Sequence, residues 1–287
     1  MIRKTLLCIF ISLLSFAAIA QNKIYQIYTS DGEIVDESKM HESINQAEVT
    51  FFGELHNNSV AHWLQLQILK NLKENQKDIV LGGEFFERDD QLNIDEWLEG
   101  KITDKNFEAE AKLWNNYIPD YKPLMLFAKQ NQIPFVATNI PRKYASVVSR
   151  EGLERLESFS KEAKKSIAPL PIEVDMTLPG YEGMKGMMHG SGMNADFMVE
   201  AQAIKDATMA YSLFEFINKK KSIFHVNGSY HSNNYEGIVW YLRKEYPKIK
   251  ILTIATVEQD DTTSLLDASK GIADFIIVLP TDSPKSY

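Results

Sequence analysis

Four apolar runs in this chain end in residues able to carry protons or hold metals. Residues 48–52 lead into Gly53, Glu54, Leu55 and His56. Residues 79–81 lead into Gly82, Gly83 and Glu84, with Arg88 one turn later. Residues 133–137 lead into Thr138, Asn139, Ile140, Pro141 and Arg142, and residues 223–226 into Asn227, Gly228, Ser229, Tyr230 and His231. In an open α/β sheet, ligands bind outside the carboxyl ends of the strands. If these runs are parallel strands, two carboxylates, two imidazoles and two guanidinium groups meet on one rim.

The spacing within each ending suggests its chemistry. Strand alternation puts Glu54 and His56 on one side, where they can share a metal or form an acid/base pair. The plainer alternative is that Glu54 caps the next helix and His56 binds backbone. Glu84 follows two glycines, which admit close approach of backbone or ligand. Its alternative is a structural ion pair with Arg88 one helical turn on. Taken together, Glu54, His56, Glu84 and His231 form a set that could hold a divalent metal or activate water directly. Arg142, beside Asn139, suits a planar carboxylate; an ordinary surface arginine is the alternative. Farther along, Gln202 and Asp206 share a helix face at i, i+4, and an Asp among apolar neighbours needs a partner. They are expected to support the pocket or to bond locally. His225 lies inside a strand and reads as a core histidine, whereas His41 and His62 read as surface residues. A Met- and Gly-rich stretch carries Tyr181 and His189. Those two are candidate haem-iron ligands, and Met with His also suits copper(I). A flexible lid with Met filling gaps is the competing reading.

Positioning these residues takes an alternating strand–helix chain. A small hairpin is expected around residues 24–35, then core strands at 48–52, 78–85 and 133–138. Asn57, Asn58 and Ser59 offer caps for a helix over 60–75, whose Val60, Leu64, Ile68 and Leu72 recur at helical spacing. Two or three helices fill 90–130, with Trp97, Trp114 and Tyr117 as packing aromatics. Pro141 suits the first turn of a further helix. Residues 158–193 are rich in Pro, Gly and Met and read as a lid or insertion. A long helix over 194–220 and three strand–helix units, at 222–246, 249–256 and 273–279, close the chain. The fold class is therefore α/β, a mostly parallel sheet with helices on both faces and a helical or loop lid.

Composition narrows the function classes. Residues 1–20 pair Arg3 and Lys4 with an apolar stretch and end in Ala18-Ile19-Ala20, the pattern of a cleaved signal peptide. The apolar stretch is shorter than the roughly 20 residues of a spanning helix. The one cysteine, Cys8, lies within that leader, so the remaining chain has no thiolate ligand, disulfide or lipidation cysteine at the cleavage point. Periplasmic or secreted localisation is expected. The formal charge is −8, or −10 without Arg3 and Lys4, which argues against a nucleic-acid partner. No second apolar run is long enough to span a membrane, and residues 21–287 read as one domain.

The ordered motifs Gly53-Glu-Leu-His56, Glu84-Phe-Phe-Glu-Arg88, Asn139-Ile-Pro-Arg142, Ala201-Gln-Ala-Ile-Lys-Asp206-Ala-Thr-Met209-Ala and Asn227-Gly-Ser-Tyr-His231 resemble those of the ChaN-like haem-binding uptake family. That family is related to the Tiki/TraB and erythromycin-esterase-like superfamily. The resemblance runs from about residue 48 to 256. It implies an α/β domain with a helical lid outside the cytoplasm, haem binding in iron uptake, cofacial haems at a homodimer interface and a tyrosine iron ligand. It also implies that Glu54, Glu84, Arg88, Asn139, Arg142 and His231 match the pocket motifs. Tyr181 and His189 come from their chemistry, not from a matched motif. The chain departs from lipoprotein members in lacking their cysteine. An exported haem-binding protein of haem and iron acquisition is thus expected, with a haem receptor or transporter as partner and Arg88 or Arg142 on the haem propionates. The alternative is a metal-dependent peptidase or esterase built on the Glu/His rim.

Overall fold

The structure, a computed structural model, describes residues 24–75, 77–188, 192 and 194–287. The leader at 1–20 and the proposed ligand His189 lie outside the described residues. The strands are β1 (Gln26–Thr29), β2 (Ile34–Val35), β3 (Val49–Glu54), β4 (Ile79–Glu87), β5 (Phe135–Asn139), β6 (Ser222–Gly228), β7 (Ile251–Gln259) and β8 (Phe275–Pro280). Between them run α1 (Glu37–Gln46), α2 (Ser59–Glu74), α3 (Gln91–Leu98), α4 (Asp104–Glu110), α5 (Lys122–Gln130), α6 (Arg142–Glu151), α7 (Lys161–Lys164), α8 (Pro179–Met187), α9 (Ala195–Asn218) and α10 (Ile238–Glu245).

The strands form one sheet in the order β2-β1-β8-β7-β3-β6-β4-β5. From β8 to β5 every pairing is parallel, and only the N-terminal hairpin runs antiparallel. β6 returns between β3 and β4, so the carboxyl ends of β3, β6, β4 and β5 are neighbours along one edge. The central strands are buried on both faces, hence their nearly continuous apolar sequence. On one face, Phe52, Leu81, Phe85, Phe224 and Ile254 pack with α2 and α5. On the other, Phe51, Val80, Val136 and Ile223 pack against Met209 and Leu213 of α9 and Val239 of α10. Each such large side chain contributes roughly 1.5–3 kcal/mol by leaving water.

Local signals set the helix starts. The Asn58 side chain accepts from the backbone N–H groups of Val60 and Ala61 and begins α2. Asn194 does the same for α9 through Asp196 and Phe197. Pro141 occupies the cap position, and α6 begins at Arg142. α9 is buried over most of its length and not along one stripe, the pattern of an interior helix. The Met- and Gly-rich stretch is not all loop. It contains α7 and α8, and Tyr181 of α8 packs on Val199 and Ala203 of α9. Among the described residues, no helix is long and apolar enough to cross a membrane.

Candidate functional site

The strand-end residues form two hydrogen-bonded groups, one on each side of the β6 terminus. The first is centred on Glu54, the last residue of β3, which is 3 % exposed. Glu54 Oε1 lies 2.9 Å from His56 Nδ1, and Gln65 Nε2 of α2 donates to Oε2 at 2.5 Å. The Tyr121 hydroxyl also donates to Oε1. His62 lies 3.4 Å from Glu54 on one side and 3.6 Å from Asp120 on the other. Burial pushes the Glu54 carboxyl up, but His62, His56 and the Tyr121 hydrogen bond outweigh it and hold the group below its ordinary range. Burial and the Glu54 charge together push the Tyr121 phenol far up. His62 was expected at the surface; it is buried because it lies on the face of α2 that passes over Glu54.

The second group is centred on His231, just beyond β6. Its Nδ1 lies 2.5 Å from Asp206 Oδ1 of α9, and its Nε2 lies 3.2 Å from Glu84 Oε1 of β4. The other Glu84 oxygen accepts the Gly228 N–H at 2.8 Å, and the Gln202 amide lies 2.9 Å from His231 Nδ1. Burial alone would lower the His231 pKa; Glu84 and Asp206 outweigh burial and raise it to about 10. Glu84 is correspondingly held well below the carboxylate range, since His231, His56 and the Gly228 N–H overcome its burial. Asp206 is net raised because burial dominates there. His231 therefore stands as an imidazolium between two carboxyl groups. His225 is a core histidine, 0 % exposed, bonded to Thr138 and Asn227 and lowered by burial to about 4.

His56 bridges the two groups sterically. A Cβ built on Gly228 would sit 2.6 Å from His56 Nε2 and 3.6 Å from Glu84 Oε2. Glycine is thus needed there for close approach, although its φ of −56° is open to any residue. His56 is raised: burial lowers it, but the Glu54 hydrogen bond and the Glu84 charge prevail.

A cavity of about 880 Å³ opens over this floor, within the roughly 300–1,000 Å³ typical of small-molecule and cofactor sites. His56, Glu84, Asn139, Arg142 and Gln202 line it, with Glu54, His231 and Asp206 standing behind. Its walls include Trp114, Ile140 and the three methionines Met184, Met188 and Met198. Arg142 is exposed and makes no hydrogen bond or ion pair among the described residues; Lys205 likewise lines the cavity without an ion pair.

Two residues expected at the pocket face elsewhere. Arg88 is not among the cavity-lining residues. It donates to Ser212 Oγ and, at 3.2 Å, to the Lys165 carbonyl, and lies over the Tyr211 ring. It makes no ion pair with Glu84. Tyr181 is 3 % exposed, and its hydroxyl donates to Asp206 Oδ2 at 2.8 Å. Burial and Asp206 push that phenol far up, so it is held protonated away from the cavity. The four residues expected to hold a metal do not share a point. They form the separate pairs Glu54–His56 and Glu84–His231, with their inner atoms already bonded to protein. Among the described residues, no group of three or more His, Cys, Asp or Glu is placed to hold a metal ion.

Sequence reasoning missed several contributors. His62 and Gln65 carried a weak signal, as polar residues on the same apolar-periodic helix. Tyr121, Trp114, Lys205 and Tyr287 carried none, because their roles depend on which elements fold over the rim.

Comparison with known proteins bears on this arrangement. A "Cofacial heme binding to ChaN of Campylobacter jejuni" structure superposes with a TM-score of 0.66 at 16% identity, covering 90% of this chain and 98% of that one. A Bacillus cereus protein gives 0.54 at 12% identity over 86% and 92% of the two chains. A succinoglycan biosynthesis protein gives 0.54 at 10% over 89% and 96%. At these identities the likeness is one of fold. No curated protein matches. The family profile described as "Haem-binding uptake, Tiki superfamily, ChaN" matches residues 40–242, well over half of the chain. On that match, this chain, with its α/β sheet and polar strand-end rim, belongs to the ChaN family of haem-binding uptake proteins in the Tiki superfamily.

Proposed function

We propose that the chain binds haem in the cavity above the rim and serves haem or iron acquisition outside the cytoplasm. The observation that carries this is the cavity's mixed lining. Three methionines and Trp114 supply polarizable apolar walls for a flat macrocycle, while Arg142 and Lys205 supply cations that form no ion pair among the described residues. A haem is itself apolar on its faces and anionic at its propionates. Arg142 would suit a charge-assisted fork with one propionate and Lys205 a point charge on the other. Bound haem would supply ferric iron; the chain's own residues would shield its faces and neutralise its carboxylates.

Export rests on the leader pattern at 1–20. The Campylobacter jejuni relative is described as binding haem cofacially. The same arrangement here would make the partner across the cavity mouth a second copy of this chain, with a haem receptor or transporter taking the cargo. Hemin titration by absorption tests the reading. Wild type should saturate, and Arg142→Gln and Lys205→Gln should each weaken binding by about tenfold, an effect that shrinks with added salt. A wild-type chain with no saturable spectral change would sink the proposal.

One observation favours a second reading, hydrolysis. Glu54 holds His56 by Nδ1 at the cavity floor, with Glu84 and the His231 imidazolium close by. This is a base-plus-acid pairing able to activate water without a metal. Turnover of a chromogenic ester, unaffected by chelator and lost in His56→Ala, would establish it. Equal rates in wild type and His56→Ala would dismiss it.

A further inference from the structure

We infer that Gln202 turns its side-chain N–H groups into the cavity and there binds a carboxylate of the ligand, a contact that rests on the haem reading above. Gln202 lines the cavity and is 8 % exposed. One end of its amide lies 2.9 Å from His231 Nδ1 and 3.4 Å from Nε2; the other end has no partner among the described residues. The oxygen and nitrogen of an amide are told apart by the partners they meet. Each ring nitrogen of an imidazole has a single hydrogen-bonding direction, in the plane of the ring. At Nδ1 that direction is taken by Asp206 Oδ1 at 2.5 Å, and at Nε2 by Glu84 Oε1 at 3.2 Å. Neither nitrogen keeps a lone pair for a Gln202 N–H, so an amide nitrogen at that end would set donor against donor. Turned over, the amide lays its oxygen against the His231 imidazolium and its two N–H bonds toward the cavity.

The wall that carries Gln202 is built for an anion. Lys205 follows it on the same face of α9, one turn on, and also lines the cavity. Arg142 opens α6, which packs on α9 through Ala145 and Val148 against Ala201 and Ile204. Ala145 and Ala201 line the cavity as well, so the two helices present one continuous wall. Its guanidinium, ammonium and amide N–H groups are all donors. Glu84, at the floor, is a carboxylate already bonded to His231 and the Gly228 N–H, and it would repel a second one. The anionic edge of a porphyrin therefore belongs on the α6–α9 wall. A ligand that covers Gln202 without offering an acceptor strands a buried donor, so the amide selects for the acid as well as binding it. Asp206 and Glu84 act here as positioning residues: they hold His231, and His231 orients the amide.

The test titrates the full chain with metal-free protoporphyrin IX and with its dimethyl ester, read by fluorescence, so that iron ligation plays no part. Wild type should prefer the diacid by at least about a hundredfold. Gln202→Met, which keeps the side-chain length and removes the donors, should weaken the diacid by about tenfold and leave the diester within about twofold. Gln202→Glu, which turns an acceptor toward the cavity, should weaken the diacid further. Equal losses for acid and ester in Gln202→Met would mark a structural role and overturn the contact, as would no loss at all. Nitrogen NMR of the ligand-free protein at neutral pH should find both His231 ring nitrogens protonated; a bare Nδ1 overturns the amide orientation whether or not porphyrin binds. A wild type that binds hemin without preferring the diacid overturns the contact and leaves haem binding in place. A wild type that saturates with neither hemin nor protoporphyrin IX overturns the haem reading and this contact with it.

Discussion

Gly228→Ala should displace His56 and uncouple it from Glu54. The added Cβ would lie 2.6 Å from His56 Nε2 against an ordinary contact of 3.4 Å, an overlap of 0.8 Å. The backbone itself is not strained, because Gly228 has φ −56°. Relief must therefore come from the imidazole, the movable partner. Moving it breaks the 2.9 Å bond to Glu54 Oε1 and disturbs its edge contact with Trp114 at 5.1 Å. A hydrogen bond to a charged group is worth roughly 1.5–3 kcal/mol, and overpacking costs about 1–3 kcal/mol. Loss of glycine's unfolded-state freedom offsets about 0.4–1 kcal/mol. A net cost of roughly 1.5–5.5 kcal/mol is expected, which for a chain of this size lowers the Tm by about 3–20 °C. The decisive assay is a double-mutant cycle in urea with His56→Ala. Once the imidazole is gone, the alanine methyl keeps only an ordinary 3.6 Å contact with Glu84 Oε2 and should cost less than about 0.5 kcal/mol. Equal costs of Gly228→Ala in both backgrounds would refute the steric account.

His231 is raised above its unfolded pKa of 6.5 to about 10, so its stabilisation is complete below pH 6.5 and is lost as pH rises through about 10. Urea titrations should show stability falling across that window by up to about 1.4 kcal/mol per pH unit, with a shallower fall in Asp206→Asn; a flat wild-type profile would count against the imidazolium. Tyr121→Phe removes the hydroxyl that donates to Glu54 and should destabilise by roughly 1–3 kcal/mol in the same assay. A loss below about 0.5 kcal/mol would mean that Gln65 and the histidines alone satisfy the carboxylate. Mass spectrometry of the protein from its host should find a chain beginning at Gln21, following the small-residue pattern at Ala18-Ile19-Ala20. An intact Met1 terminus or a lipid adduct would dismiss the leader reading.

The sequence by itself determined the sheet and the residues at its edge. Apolar runs closed by Gly-Glu, Gly-Gly-Glu, Thr-Asn and Asn-Gly identify the strands and their carboxyl ends, because local propensity and burial on both faces act within a few residues. The Asn58 cap and the length of α9 were legible for the same reason. What the sequence could not determine was direction at longer range. Arg88, four residues from Glu84, turns toward Ser212 and Lys165, because the β4 register shift between Gly83 and Glu87 carries the strand on past Glu84 before Arg88 leaves it. Tyr181, chosen for its phenol, is drawn inward by Asp206 on a helix 25 residues away. His62, a polar residue on an amphipathic helix, is buried only because α2 lays that face over Glu54. Tyr287 reaches the cavity because the last strand ends beside the loop after β3, more than 200 residues earlier in the chain. Strand identity follows from near neighbours in sequence. The direction of a polar side chain follows from whichever partner satisfies it once buried, and that partner is set by the packing of distant elements.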